Sequence, residues 1–84
     1  MLPLNMSTIP DYRKLYTEKE IGAHISKIRN SLKMSMYRLQ LNSEVNRTII
    51  KETEDGTNKV RIDNLLKIIQ GLGMSPAEFF AGLD

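Results

Sequence analysis

The stretch Glu44–Gly56, EVNRTIIKETEDG, decides how this 84-residue chain folds. Asn46 is a good N-cap, its side-chain oxygen accepting from the orphan amides of a first helical turn. At the other end Asp55-Gly56 is a stop, because glycine takes the left-handed C′ conformation without a Cβ penalty. Between them lies a helix of about two turns, Arg47 to Glu54, with Ile50 as its core residue. A helix that short is not stable alone, so the residues on either side must hold it.

They do read as helices. Thr17 to Glu20, TEKE, is a capping box. Ile21, Ile25, Ile28 and Leu32 follow it at helical spacing, one apolar stripe with Lys19, Lys27, Arg29 and Lys33 mostly off it. The next residues break that helix, and Ser35 caps a second, Met36 to about Asn42, with Leu39 inward. Beyond the loop TNK, the run VRIDNLLKIIQGLG reads as a fourth helix with Ile62, Leu65, Leu66, Ile69 and Leu72 inward and Gly73 at its end. SPAE is a second capping box with Pro76 at the first helical position, where its missing N–H costs nothing. It opens a last short helix carrying Phe79 and Phe80. No strand pattern competes. The expectation is an all-α, compact five-helix bundle over residues 17–84, with a helix-turn-helix at about 35–54. Residues 1–16 read as an N-terminal arm, loose or partly helical, in which Ile9, Tyr12, Leu15 and Tyr16 could form a turn of helix after Pro10.

Composition narrows the function. The chain has the size of one small domain. With five aromatics its core must be mostly aliphatic and Met; Met34 and Met74 are expected in it, with Met36 at the surface. Without cysteine, disulfides and thiolate metal sites are excluded. The one histidine, His24, cannot make a metal site or catalytic pair alone and is expected on the outer face of the first helix. There is no nucleophile–base set, metal cluster or glycine-rich phosphate loop, so an enzyme is not expected, nor a cofactor or a small-molecule effector domain. No apolar run suits a membrane span, and MLPLNMSTIP lacks the basic start of a signal peptide; a cytoplasmic location is expected. Net charge is only +2, but residues 13 to 61 hold eleven Lys/Arg against six Asp/Glu. Such a basic half suits a nucleic-acid face or an ordinary solvated surface.

The ordered spacing over residues 21 to 80 resembles the Xre family, the Cro/repressor type of helix-turn-helix domain with a lambda-repressor-like fold. The positions that carry the likeness are Ile21, Ile25, Ile28, Arg29, Met34, Ser35, Leu39, Ser43, Val45, Ile50, Glu54 and Gly56, then Leu65, Lys67, Ile68, Leu72, Gly73, Met74, Ser75 and Glu78. The resemblance implies a sequence-specific transcriptional regulator, a repressor in its usual form. Its third helix would enter the major groove of double-stranded DNA. Arg47, Thr48, Ile49, Lys51 and Glu52 would then face base edges, with Glu52 left open between accepting from a cytosine amine, repelling phosphate and pairing with a neighbour such as Lys51. Arg47 is the foremost, since arginine can donate two hydrogen bonds to guanine. Lys33, Ser35, Arg38, Asn46, Asn58, Lys59 and Arg61 would meet the DNA backbone. Arg29 and Glu54 match a partly buried salt bridge between the first and third helices. Phe80 and Leu83 are candidates for a homodimer surface, or for the core.

The chain departs from the family pattern at four positions. Gln40 stands where a small Ala is preferred, Thr53 where Ile or Leu would pack, and Met36 where a phosphate-contacting Gln is frequent. Glu44 stands at the turn position that favours Gly, so it must adopt a positive φ or the turn must change. These departures leave an alternative open: a protein-interaction module, such as the antitoxin of a toxin–antitoxin pair, with a protein partner on the N-terminal arm or last helix.

Overall fold

The computed structural model describes residues 16–83; the expectation for the N-terminal arm therefore lies outside the described residues, Tyr16 apart. Five helices follow in order: α1 Glu18–Ser31, α2 Met36–Ser43, α3 Arg47–Asp55, α4 Ile62–Gly71 and α5 Pro76–Ala81. Each expected helix forms, and there is no strand among the described residues.

The caps are those the residue types dictate. Thr17, Ser35, Asn46 and Ser75 each accept a backbone amide of the helix they open. At Thr17 that is one arm of the expected box, the Glu20 amide donating to Oγ1. At Ser75 both arms close, with the Ser75 amide donating to Glu78 and the Glu78 amide to Ser75 Oγ. α1 ends in a turn whose amides reach back from Lys33 to the carbonyl of Asn30 and from Met34 to that of Arg29. This places Lys33 at φ 55°, a left-handed conformation usually left to glycine.

α1 lies against α3, and α2 against both α3 and α4, with α5 on α4. The buried core is Ile25, Leu39, Val45, Ile50, Leu65, Ile68, Ile69, Leu72 and Phe79. Burial of a side chain of this kind is worth about 1.5–3 kcal/mol, and here it comes from all five helices and the α2–α3 turn.

Four expectations about the core need correcting. On α4 the buried stripe is Leu65, Ile68, Ile69 and Leu72, while Ile62 and Leu66 are exposed. The run LLKII offers two overlapping stripes, and tertiary contact with α2 selects the later one. Leu32 follows the last turn of α1 and is exposed. Met36 is half-buried and packs against the core. His24 faces inward: its ring lies 4.7 Å from that of Phe79, and Nε2 is 3.0 Å from the Phe79 carbonyl. His24 thus ties α1 to α5.

Candidate nucleic-acid interface

α3 buries only Ile50 and Thr53. Arg47, Thr48, Ile49 and Lys51 are exposed on its outer side, and Glu52 is half-buried. A nine-residue helix with so little apolar purchase needs other constraints, and the structure supplies them at each end and along the inner face.

At the N-terminus two orphan amides are taken. Asn46 Oδ1 accepts from the Thr48 amide at 2.7 Å. Gln40, reaching from α2, accepts from the Arg47 amide at 2.9 Å. Gln40 therefore uses its extra length to cap α3 laterally, where an Ala could only have packed. The α2–α3 turn keeps its expected form because Glu44 adopts φ 61°, its amide bonding to the Gln40 carbonyl at 2.8 Å. Ser43 Oγ, buried, accepts from the Val45 amide and fixes the same turn.

The inner face is fastened by charge. Arg29 on α1 donates to both carboxylate oxygens of Glu54, from Nε at 2.6 Å and from Nη2 at 3.0 Å, while Nη1 donates to the Met34 carbonyl at 2.8 Å. The side chains are 11% and 4% exposed. Hydrogen bonding to Glu54 raises the Arg29 pKa further above its usual value, against the opposing effect of burial. Thr53 is buried without an orphan hydroxyl, since Oγ1 donates back to the Ile49 carbonyl at 2.7 Å.

One determinant was not legible as a site residue. Gly22 is where α1 crosses α3: a Cβ built there would meet the Thr53 carbonyl oxygen at 2.0 Å and that of Glu54 at 2.6 Å. Its signal is an isolated glycine inside a helical pattern, which often marks close packing.

The remaining sequence candidates fall into two groups. Lys33, Arg38, Asn58, Lys59 and Arg61 are exposed, as are the capping residues Ser35 and Asn46. Several already have partners. Lys51 pairs with Asp55 at 3.1 Å one turn on, Arg61 pairs with Asp63 at 3.3 Å, and the Asn58 side-chain amide donates to the Glu52 carboxylate. Phe80 is exposed and meets Phe79 edge-on at 5.2 Å, while Leu83 is half-buried against the core. Among the described residues no group of acidic or histidine side chains is disposed to hold a metal ion. No described helix is long and apolar enough to cross a membrane.

No protein-family model matches the chain, and no curated protein matches it in sequence. Solved structures do. The chain is similar to the restriction–modification controller protein C.Esp1396I, seen as a tetramer in complex with its natural 35-base-pair operator. The TM-score is 0.77 and the identity 28%, over 83% of this chain and 92% of that one. A point mutant of that protein is 30% identical, with a TM-score of 0.74, over 79% of this chain and 86% of that one. The controller protein C.AhdI from Aeromonas hydrophila is 25% identical, with a TM-score of 0.70, over 75% of this chain and 96% of that one. Fold and site define the class: a helix-turn-helix protein of the Cro and lambda-repressor-like kind, a DNA-binding transcriptional regulator. Within that class the chain belongs with the restriction–modification controller proteins, whose fold it shares over 86–96% of their lengths.

Proposed function

We propose that the chain regulates transcription by placing α3 in the major groove of an operator, acting as a homodimer on two half-sites. The observation that carries this is the outer face of α3. Arg47, Thr48, Ile49 and Lys51 stand exposed on a helix whose inner face is fixed by Arg29–Glu54 and Gly22. Arg47 opens the helix, where side chains of a recognition helix reach deepest, and its guanidinium can address guanine O6 and N7 together. Ile49 offers an apolar contact for a thymine methyl. Lys33, Arg38, Lys59 and Arg61 supply phosphate contacts, which set register without reading sequence. A twofold dimer would match half-sites about 34–36 Å apart. Phe80 provides apolar area for that contact. Occupancy of a promoter by the dimer gives repression, and restriction–modification operons are the first promoters to try.

The test is selection from a random duplex library at two salt concentrations with wild type and Arg47→Ala. Enrichment of a symmetric motif, a steep fall of affinity with salt and relaxation of one base position per half-site in Arg47→Ala are expected. Wild type that enriches no sequence and binds no better than a basic peptide would refute the reading.

A further inference from the structure

We propose that Glu52 is a positioning residue that fastens the α3–α4 loop, Thr57 to Arg61, onto the recognition helix, and that it reads no base. The inference rests on the reading that α3 enters the groove, and it reassigns one residue of that helix.

A carboxylate on a DNA-facing helix is an oddity, since it repels phosphate unless it accepts from a cytosine amine. Glu52 is already engaged elsewhere. It is half-buried, unlike the exposed Arg47, Thr48, Ile49 and Lys51, and its Oε2 accepts from the Asn58 side-chain amide. Its backbone carbonyl accepts from the Thr57 amide at 3.2 Å and from Thr57 Oγ1 at 3.4 Å. One residue of α3 thus holds two successive residues of the loop, through side chain and main chain together. The loop's other anchor is Val60, which packs against the core. Lys59 and Arg61 flank Val60, are exposed, and line the same cleft as Glu52 and Asn58. With both ends of the loop pinned, these two cations hold a fixed offset from α3, as a groove-binding unit needs for one register on the duplex. Reaching a base would require Glu52 to release Asn58 and give up the side-chain part of the loop's attachment.

The variants are Glu52→Ala, Glu52→Gln, Asn58→Ala and the double alanine variant. Glu52→Ala and Glu52→Gln lose the same charge, but only the glutamine keeps an oxygen for Asn58, so their difference reads the bond alone. Wild type and variants are passed through the random duplex selection, and affinity for the selected site is measured across salt. Glu52→Ala and Asn58→Ala should each weaken binding severalfold at all sequences alike and lower the salt slope by about one for each phosphate that the loop cations no longer neutralise. The double variant should be no worse than either single one, because they remove one interaction. Glu52→Gln should keep the slope. Without DNA, loop amides should exchange faster in Glu52→Ala than in Glu52→Gln, with the core unchanged. Changed preference at a single base pair in Glu52→Ala, with the slope intact, would overturn the proposal; so would additive losses in the double variant. Wild type that selects no sequence would overturn the DNA reading itself, before any variant is compared.

Discussion

Removing the carboxylate of Glu54 tests the idea that α3 is seated by charge. In Glu54→Ala the Arg29 guanidinium loses two charge-assisted hydrogen bonds, at 2.6 and 3.0 Å, and retains only the Met34 carbonyl. With 11% of the Arg29 side chain exposed, water restores little of that interaction. Breaking one side of a buried pair in this way costs about 3–5 kcal/mol, because a charge is left uncompensated. An 84-residue domain has a total stability of about 4–13 kcal/mol at the usual value per residue. The loss is therefore a large fraction of that stability. In urea the midpoint should fall by about 2–3 M if the slope is about 1.5 kcal/mol/M, with that slope unchanged. The exposed Lys51–Asp55 pair is the internal control, since Lys51→Ala should cost less than about 1 kcal/mol. Replacing both partners, Arg29→Met with Glu54→Leu, should recover most of the stability, since a well-packed apolar pair can equal a buried ionic one. The reasoning fails if Glu54→Ala costs no more than Lys51→Ala, or if the double apolar variant is as unstable as Glu54→Ala.

Other perturbations follow from the same geometry. Glu44→Gly relieves a left-handed residue and should raise stability by about 0.5–1 kcal/mol, a gain in melting temperature of a few degrees; an unchanged melting temperature would show the turn to be unstrained. Gly22→Ala should cost about 2–3 kcal/mol or more in denaturant titration. Gly71→Ala should cost less, because one obstacle there is the flexible tip of Leu39; a reversed order would refute the α1–α3 contact. The Glu78 pKa is held below its usual 4.5 by hydrogen bonds from the Ser75 backbone and side chain. A depressed carboxylate stabilises the fold above its unfolded pKa, and that contribution disappears as pH falls through the folded value. Ser75→Ala keeps the backbone donor and removes the hydroxyl, so it should move Glu78 part of the way toward the ordinary carboxylate range in an NMR titration; an unmoved Glu78 would refute the side-chain contribution.

The elements could be read from the chain because local chemistry specifies them. Caps at Thr17, Ser35, Asn46 and Ser75, with stops at Gly56 and Gly73, fix boundaries within a residue or two whatever the helices touch. Which face turns inward is less legible. On α4 every position from Leu65 to Ile69 except Lys67 is apolar, so periodicity alone admits two stripes, and only the partner helix chooses between them. His24 departs from expectation for a related reason. A lone imidazole on a helix has no pattern to follow, and what draws it inward is a carbonyl 55 residues away. The Gln40 cap and the Glu52–Asn58 link likewise depend on side-chain reach across elements, which spacing along one helix does not encode.

The features that spacing does not encode share a location. Gln40, Glu52, Glu54 and Gly22 all restrain α3 and are distinct from its exposed residues Arg47, Thr48, Ile49 and Lys51; together they hold its start, its inner face and its exit. The arrangement answers the weakness of a two-turn helix with only Ile50 and Thr53 buried. An apolar seat broad enough to hold α3 would have taken the surface that now stands free for a groove. Polar clamps restrain the helix from its margins and leave its outer side exposed. They are also directional, so a displaced helix loses hydrogen bonds, whereas a displaced apolar contact can repack. On the proposed reading, residues that only restrain α3 should therefore govern DNA recognition as strongly as those on its exposed side. Losses at Gln40, Gly22 and Glu54 should spread over every base position, whereas the loss at Arg47 should fall on one.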